Sequence, residues 1–371
     1  MKIVYTKRVV VVVLLVFLAC NATAFSQPIW QWAKQDSLNI GLAGKVEVSA
    51  IHANFNTLVS GYFADSALFD TIKLVAEYPH WGNNVQGFVA KINNNGKYVW
   101  IKKTTHTSAN SLSMVTKAVE ANNGKVYLIG QFINTIQLDT FTLSEPNSKG
   151  VFMAELDVLG NVTWAKKIAI MPLNTNGFVT TAIKDFEVDN KNGLVYFCGS
   201  FSDSINVSGT TFYAGPSFGT SEAFIAQFDV QGNYNWLKKS ISVHNNFVYS
   251  NSTFYGIEAD LNGNMYACGA FNADMFGINN QLFYLKRPSN NITLDDYNGL
   301  ILALDSSGNS LWSKQTFRKN WVEDIKVDNM NNAVYVTGKM IDDSCFFDSN
   351  SLYPTLVNNT GLVAGDFVFF G

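Results

Sequence analysis

Residues 88–103 read FVAKINNNGKYVWIKK, and residues 224–239 read FIAQFDVQGNYNWLKK. In both, apolar and polar residues alternate, a Gly-containing turn follows, and a second alternating run has a tryptophan near its start. Alternation at period two predicts half-buried β-strands, and the turn residues predict tight hairpins. The phrase returns at 152–167 (FMAELDVLGNVTWAKK) and 300–315 (LILALDSSGNSLWSKQ). Its tryptophans are Trp100, Trp164, Trp236 and Trp312, at spacings of 64, 72 and 76, and Trp32 in WAKQ stands 68 residues before Trp100.

A second phrase lies between successive tryptophans: AVEANNGKVYLIGQF (118–132), FEVDNKNGLVYFCGSF (186–201), GIEADLNGNMYACGAF (256–271) and DIKVDNMNNAVYVTGKM (324–340), with AIHANFNTLVSGYF (50–63) as a degenerate first copy. It predicts another strand–turn–strand, ending at Gly61, Gly130, Gly199, Gly269 and Gly338. In the turns led by Asp157, Asp229 and Asp305, an Asp side chain caps a type I turn and the Gly three residues on takes positive φ. A calcium loop needs oxygen ligands at alternate positions, which these turns do not supply.

Each unit thus holds four strands, here called a, b, c and d. Four antiparallel strands repeated about every 70 residues predict an all-β fold, a β-propeller of about five four-stranded blades. The "GxVYxxGxF" and "FxAxxDxxGxxxW" phrases resemble the secreted bacterial propeller-repeat proteins of the SBBP type found in Bacteroidetes. The resemblance covers nearly all of the chain beyond its first residues, although the units here are longer than that family's usual repeat. The units are 32–99, 100–163, 164–235, 236–311 and 312–371. The last ends in GDFVFFG, a c strand with no turn and no d after it. The expected closure brings the strand of Trp32 beside residues 367–370, so that the N-terminal strand completes the C-terminal blade; a truncated reading frame is the alternative.

The first residues form no part of this repeat. Lys2, Lys7 and Arg8 precede an apolar run of 11 residues from Val9 to Ala19, and Ala22-Thr23-Ala24 suits a cleavage site. Residues 1–26 therefore read as a secretory signal peptide, and 27–371 as the exported propeller. Phe17-Leu18-Ala19-Cys20 is an imperfect lipoprotein box, which keeps a lipid anchor at Cys20 open. No other run approaches the ~18 apolar residues of a spanning helix. Secretion, the cell surface or the periplasm is the expected location.

Composition agrees with a large β core: the chain is 47% hydrophobic and 14% aromatic but 15% charged. A net charge of −3 offers no attraction for nucleic acid or an anionic membrane. Cys198 and Cys268 share one slot before the b-strand Gly and read as buried apolar fillers, and Cys345 has no evident partner.

Candidate chemistry is sparse. The connections from b to c are long and variable, which marks that rim as the binding face. It carries EYPHWGNN (77–84, with Tyr78, His80 and Trp81), VHNNFVYSN (243–251) and LKRPSNNITLDD (285–296), mixtures suited to a glycan or a peptide. Aligning the a strands puts His52, Glu120, Glu187, Glu258 and Lys326 in one polar column. On an innermost strand these side chains line a channel, where neighbouring carboxylates raise one another's pKa or recruit a cation. The repeated tryptophans read as wedges between blades. No GxSxG, HExxH or phosphate-loop motif is present. The expected function is a non-catalytic extracytoplasmic binding or scaffold module, monomeric, without a resident cofactor or metal site, and taking a glycan, peptide or protein partner. Two alternatives stand beside it: a polysaccharide hydrolase or lyase using inner-strand carboxylates, and a fragment of a larger surface protein.

Overall fold

The computed structural model describes residues 37–39, 45–51, 56–78, 85–173, 182–215, 220–243, 250–285, 296–317, 319–340, 345–347, 350–352 and 365–370. Trp32, His52, His80, Trp81 and the signal-peptide segment lie outside them, as do most of the three rim stretches. Among the described residues the regular elements are all β-strands, and they follow the repeat. The first unit holds β1 (Ser37–Asn39), β2 (Lys45–Ile51), β3 (Thr57–Phe63), β4 (Ser66–Phe69), β5 (Ile72–Val75), β6 (Gln86–Ile92) and β7 (Tyr98–Lys103). The second holds β8 (Thr105–His106), β9 (Leu112–Glu120), β10 (Val126–Leu138), β11 (Phe141–Leu156) and β12 (Val162–Pro172). The third holds β13 (Ala182–Asp189), β14 (Leu194–Ser202), β15 (Ser204–Val207), β16 (Thr210–Tyr213), β17 (Ser221–Asp229) and β18 (Tyr234–Lys239). The fourth holds β19 (Ile241–Val243), β20 (Ser252–Ala259), β21 (Met265–Phe271), β22 (Met275–Ile278), β23 (Gln281–Tyr284), β24 (Asn298–Leu304) and β25 (Ser310–Phe317). The fifth holds β26 (Asn320–Asp328), β27 (Ala333–Met340), β28 (Cys345–Phe347), β29 (Asn350–Leu352) and β30 (Gly365–Phe370).

The a-b-c-d order appears as hydrogen bonding. Sheet I is β2-β3-β6-β7, sheet II β9-β10-β11-β12, sheet III β13-β14-β17-β18, sheet IV β20-β21-β24-β25 and sheet V β26-β27-β30. All neighbours are antiparallel and each sheet is open. Units counted from tryptophan to tryptophan therefore cut each sheet between c and d, since Trp100 lies inside β7 and pairs with Lys91 of β6.

Successive sheets pack through shared apolar clusters. Leu58 and Val89 of sheet I meet Val115, Leu128 and Phe152 of sheet II. Ile129 and Met153 meet Phe186, Phe197 and Phe224 of sheet III, and Cys198 and Ile225 meet Phe254, Ile257 and Leu302 of sheet IV. Ile301 and Cys268 then meet Val322 and Ile325 of sheet V. Alternation puts one set of side chains on each face, so an inner sheet is apolar on both faces and reads as a nearly continuous buried run. Burial across all seven residues of β24 shows this. Cys198 and Cys268 are buried free thiols in these interfaces, and burial pushes both well above the ordinary thiol range.

The b-strand glycines sit mid-strand, each opposite a c-strand Phe or Leu: Gly61–Phe88, Gly130–Phe152, Gly199–Phe224, Gly269–Leu300 and Gly338–Phe367. The a strand bulges at this level, leaving Thr116, Lys184, Tyr255 and Glu323 out of register in sheets II to V. The bulge presses a carbonyl against the glycine, that of Met114, Thr253 or Trp321, and leaves no room for a methyl group.

The described parts of the b–c connections are not plain loops. They fold into secondary hairpins, β4–β5, the outer halves of β10–β11, β15–β16, β22–β23 and β28–β29. Each hairpin pairs with a strand earlier in the chain, β1 on β4, β8 on β10, β12 on β15, β19 on β22 and β25 on β28, and the last four of these strands belong to or follow the d strand of the preceding sheet. Neighbouring sheets are thus strapped by backbone hydrogen bonds as well as by apolar packing.

Candidate functional site

The a strands β2, β9, β13, β20 and β26 are consecutive neighbours, so a polar residue on the same face of each meets its counterpart next door. Hydrogen-bond register defines that face. Opposite the b-strand position three before the glycine stand Ser49, Val119, Glu187, Glu258 and Lys326, paired with Leu58, Tyr127, Tyr196, Tyr266 and Tyr335. Glu187, Glu258 and Lys326 share a column as expected. Glu120 does not: it pairs with Val126, one residue further along, and so faces the other way. The a–b turns differ in length, with Glu120 seven residues before Tyr127 and Glu258 eight before Tyr266, so matching letters along the a strands gave the wrong register.

Glu120 is buried in the interface between sheets I and II. Its carboxylate accepts from Lys91 Nζ at 2.9 Å and from Asn56 Nδ2 at 3.4 Å. Both groups are nearly inaccessible, at 8% and 2% side-chain exposure for Lys91 and Glu120.

The true row gains two members that column matching passed over. Lys117 and Asp185 lie two residues before Val119 and Glu187, on the same face, and form an ion pair between sheets II and III. Asp185 also accepts from the backbone N–H of Phe186 at 2.9 Å and of Ile257, in sheet IV, at 2.8 Å. Lys326 of sheet V forms an ion pair with Glu258 of sheet IV. Glu187 stands between these pairs and accepts from the Val188 N–H at 3.0 Å.

Burial, then the charge of Glu258, pushes the Glu187 carboxyl up to about 7 against the pull of Lys117 and Lys326. Burial also raises Glu258, opposed by Lys326. Burial works against the Lys117 ammonium, but Asp185, Glu187 and Glu258 outweigh it and hold the lysine charged above its usual range. Among the described residues no three His, Cys, Asp or Glu side chains converge in a form that would hold a metal ion.

The tryptophans follow a rule of their own. Trp100, Trp164 and Trp236, each on a d strand, lie on the glycine of the next sheet's c–d turn. A methyl group on Gly160, Gly232 or Gly308 would come 2.6, 3.2 and 3.0 Å from the respective indole. The expected wedge between sheets thus has a defined counterpart. Trp312 departs from it, with 37% of its surface exposed against 8% for Trp100.

Tyr78 is half-buried and donates to the Thr107 carbonyl at 3.2 Å. His106, next to Thr107 in the chain, is buried: its Nε2 lies 2.8 Å from Ser113 Oγ, which accepts the Gly87 N–H at 3.1 Å. Burial lowers the imidazole to about 4, so it stays neutral as part of the strap joining sheets I and II.

No known protein family matches the chain by sequence, and no curated protein does. Among solved structures, a DUF4221-family protein from Bacteroides vulgatus is similar at 10% identity and a TM-score of 0.32, over 80% of this chain and 87% of that one. A chain of a mitotic checkpoint complex is similar at 7% identity and a TM-score of 0.30, over 90% of this chain and 87% of that one. Likenesses that slight carry no statement about this chain. No helix among the described residues is long and apolar enough to cross a membrane.

Proposed function

We propose that the chain is an extracytoplasmic five-bladed β-propeller, closed by its own N-terminal strand, that serves as a binding or scaffold module and engages its partner on the face built by the b–c hairpins. Support for closure comes from a constant offset. The residue five after the tryptophan is paired with the next hairpin in every unit: Thr105 after Trp100, Ala169 after Trp164, Ile241 after Trp236, Phe317 after Trp312, and Ser37 after Trp32. In the first four cases the tryptophan belongs to a d strand. Trp32 is framed identically, and β30 is the c strand with no d beside it among the described residues. If closure follows the β6–β7 register, Ala33 would stand opposite Phe369 and Gln35 opposite Phe367. In a Cys345→Ser background, Ala33→Cys with Phe369→Cys should form an intramolecular disulfide; a crosslink only between molecules, or none, overturns closure.

The binding role rests on one observation. The outward face of β19-β22-β23 carries Ile241, Val243, Met275, Leu282 and Tyr284 around Gly277, with Ile241, Leu282 and Tyr284 each more than half exposed. The matching places on β8-β10-β11 are Thr105, Gln137, Thr142, Thr135 and Ser144. A fold that covers the same position with hydroxyls and amides in one unit and bare apolar groups in another has a use for the second. Glycan and peptide arrays should return a ligand whose binding is lost in Ile241→Ser with Leu282→Ser. The absence of any hit at about micromolar concentration counts against the reading.

One observation favours a second reading, that of a polysaccharide hydrolase. Glu187 holds its proton to about pH 7 beside Glu258, the pattern of an acid next to a carboxylate. Glu120, paired with Lys91 on the other face, takes no part in it. Turnover on polysaccharide that vanishes in Glu187→Gln would establish this reading in place of the first.

A further inference from the structure

Lys91, Glu120 and Asn56 meet in the interface between sheets I and II, and hydrogen-bond register shows what the other sheets hold at the same places. Glu120, opposite Val126, has its counterparts in Val188, Ala259 and Val327, opposite Val195, Met265 and Val334. An otherwise apolar column thus carries one carboxylate. Lys91, opposite Leu58 and Trp100, corresponds to Glu155, Gln227 and Ala303. In sheets II and III that residue meets the hydroxyl of a tyrosine in its own sheet, Tyr127 with Glu155 and Tyr196 with Gln227. Sheet I has Leu58 in the tyrosine's place, and Lys91 reaches across to sheet II instead.

The three side chains are a nucleophile, an acid–base group and an acyl donor. Lys91 Nζ lies 2.9 Å from Glu120 Oε1, and Asn56 Nδ2 lies 3.5 and 3.4 Å from Oε1 and Oε2. Amine and carboxamide are therefore held on one carboxylate, with Lys91 at 8% and Glu120 at 2% side-chain exposure and Asn56 half-buried. Asn56 stands two residues before Leu58, the β3 partner of Lys91, so the two are diagonal neighbours, a separation that a long side chain bridges. Leu58, Val89, Ala118 and Val126 supply apolar surroundings. A buried ion pair is often no more stabilising than apolar groups of similar volume, and the equivalent places of Glu120 are filled by valine and alanine. Stability alone does not account for the charges.

We propose that Lys91 and Asn56 join in an intramolecular isopeptide bond, with Glu120 as the proton carrier. Lys91 passes one proton to Glu120 along their hydrogen bond, which leaves two neutral groups in an apolar site. The Nζ lone pair then forms the bond to Asn56 Cγ. Glu120 hands its proton to Nδ2 and takes a second proton from Nζ. The electron pair of the Cγ–Nδ2 bond departs with Nδ2 as ammonia, and the new amide keeps the remaining Nζ hydrogen. One amide is made and one is broken, so the step calls for no oxidant, reductant or further reactant. Holding both ends on one carboxylate replaces a collision by an intramolecular step. The product ties β3 to β6 and closes a loop around the β4–β5 hairpin, constraining the unfolded chain as a disulfide would. The bond lies in the core, and its formation does not depend on what the b–c hairpins bind.

The test is tryptic digestion and tandem mass spectrometry of the full-length protein after prolonged incubation. Trypsin does not cleave at an acylated lysine, so the expected product is a branched peptide joining the segments of Asn56 and Lys91, lighter by one ammonia than their sum. Glu120→Gln, which keeps both reacting ends, should lose the branched species, as should Lys91→Arg, with far-UV circular dichroism showing that each variant retains its sheets. Asn56→Ala keeps the ion pair and cannot react, so it is the parent chain against which the stability of Lys91 and Glu120 variants is weighed. A wild-type chain of undiminished mass that trypsin cuts at Lys91 overturns the proposal. So does hydrolysis of Asn56 to aspartate without a branch, or a branched species formed equally well in Glu120→Gln.

Discussion

The contact between each d-strand tryptophan and the next sheet's turn glycine can be weighed by a double-mutant cycle on Trp100 and Gly160. Gly160 has φ +83°, and a methyl there would lie 2.6 Å from an indole that is 8% exposed. Gly160→Ala therefore meets two costs. The left-handed backbone costs an L-residue about 1–2 kcal/mol, and overpacking against a fixed ring adds about 1–3 kcal/mol. Gly209 isolates the first cost, because its φ is +86° and a methyl there would touch nothing within 4 Å. The expectation is about 1–2 kcal/mol for Gly209→Ala and roughly 2–5 kcal/mol for Gly160→Ala. Trp100→Ala, which empties a large buried site between sheets I and II, should cost about 3–5 kcal/mol. Once the indole is gone, Gly160→Ala should cost only the backbone part, a coupling of about 1–3 kcal/mol. Urea unfolding followed by far-UV circular dichroism reads each value from the midpoint at constant slope. Equal losses for Gly160→Ala and Gly209→Ala, or a Gly160→Ala loss unchanged by Trp100→Ala, would refute the idea that the indole selects the glycine.

Two further outcomes follow from the charged groups. Glu187 has a folded pKa near 7, above its unfolded value, so the folded state holds the extra proton between those two values; its contribution to stability should be fully present below about pH 4.5 and be lost as pH rises through 7, and Glu187→Gln should remove that component of the pH dependence in urea titrations across the range, whereas an unchanged slope would mean the carboxyl ionises normally. For the buried Lys91–Glu120 pair, Lys91→Met alone strands a carboxylate at 2% exposure and should cost about 3–5 kcal/mol, while Lys91→Met with Glu120→Leu should recover most of the loss; additive losses would show the pair is not the unit.

Strand order, the four-strand unit and the hairpin turns were legible in the sequence because each depends on local rules. Alternation at period two gives strands, and Asp with Gly three residues later gives the turn at Gly160, Gly232 and Gly308 whatever surrounds it. The recurrence of Trp and Gly was legible too, since repeat units bury the same faces against one another. What the lettering could not supply was register. A bulge and a one-residue difference in turn length leave the wording of the a strands intact while turning Glu120 into the I–II interface, and they hide Asp185 and Lys117 as neighbours of Glu187. The secondary hairpins escaped notice for a related reason: β4–β5 and β22–β23 are four-residue strands that gain stability by pairing with β1 and β19, a long-range bond that no local pattern announces. Local chemistry thus decided which segments are strands and where they turn. Which face each side chain presents, and what meets it, was decided by hydrogen-bond register between segments distant in the chain, because one residue of slip reverses every side chain on a strand.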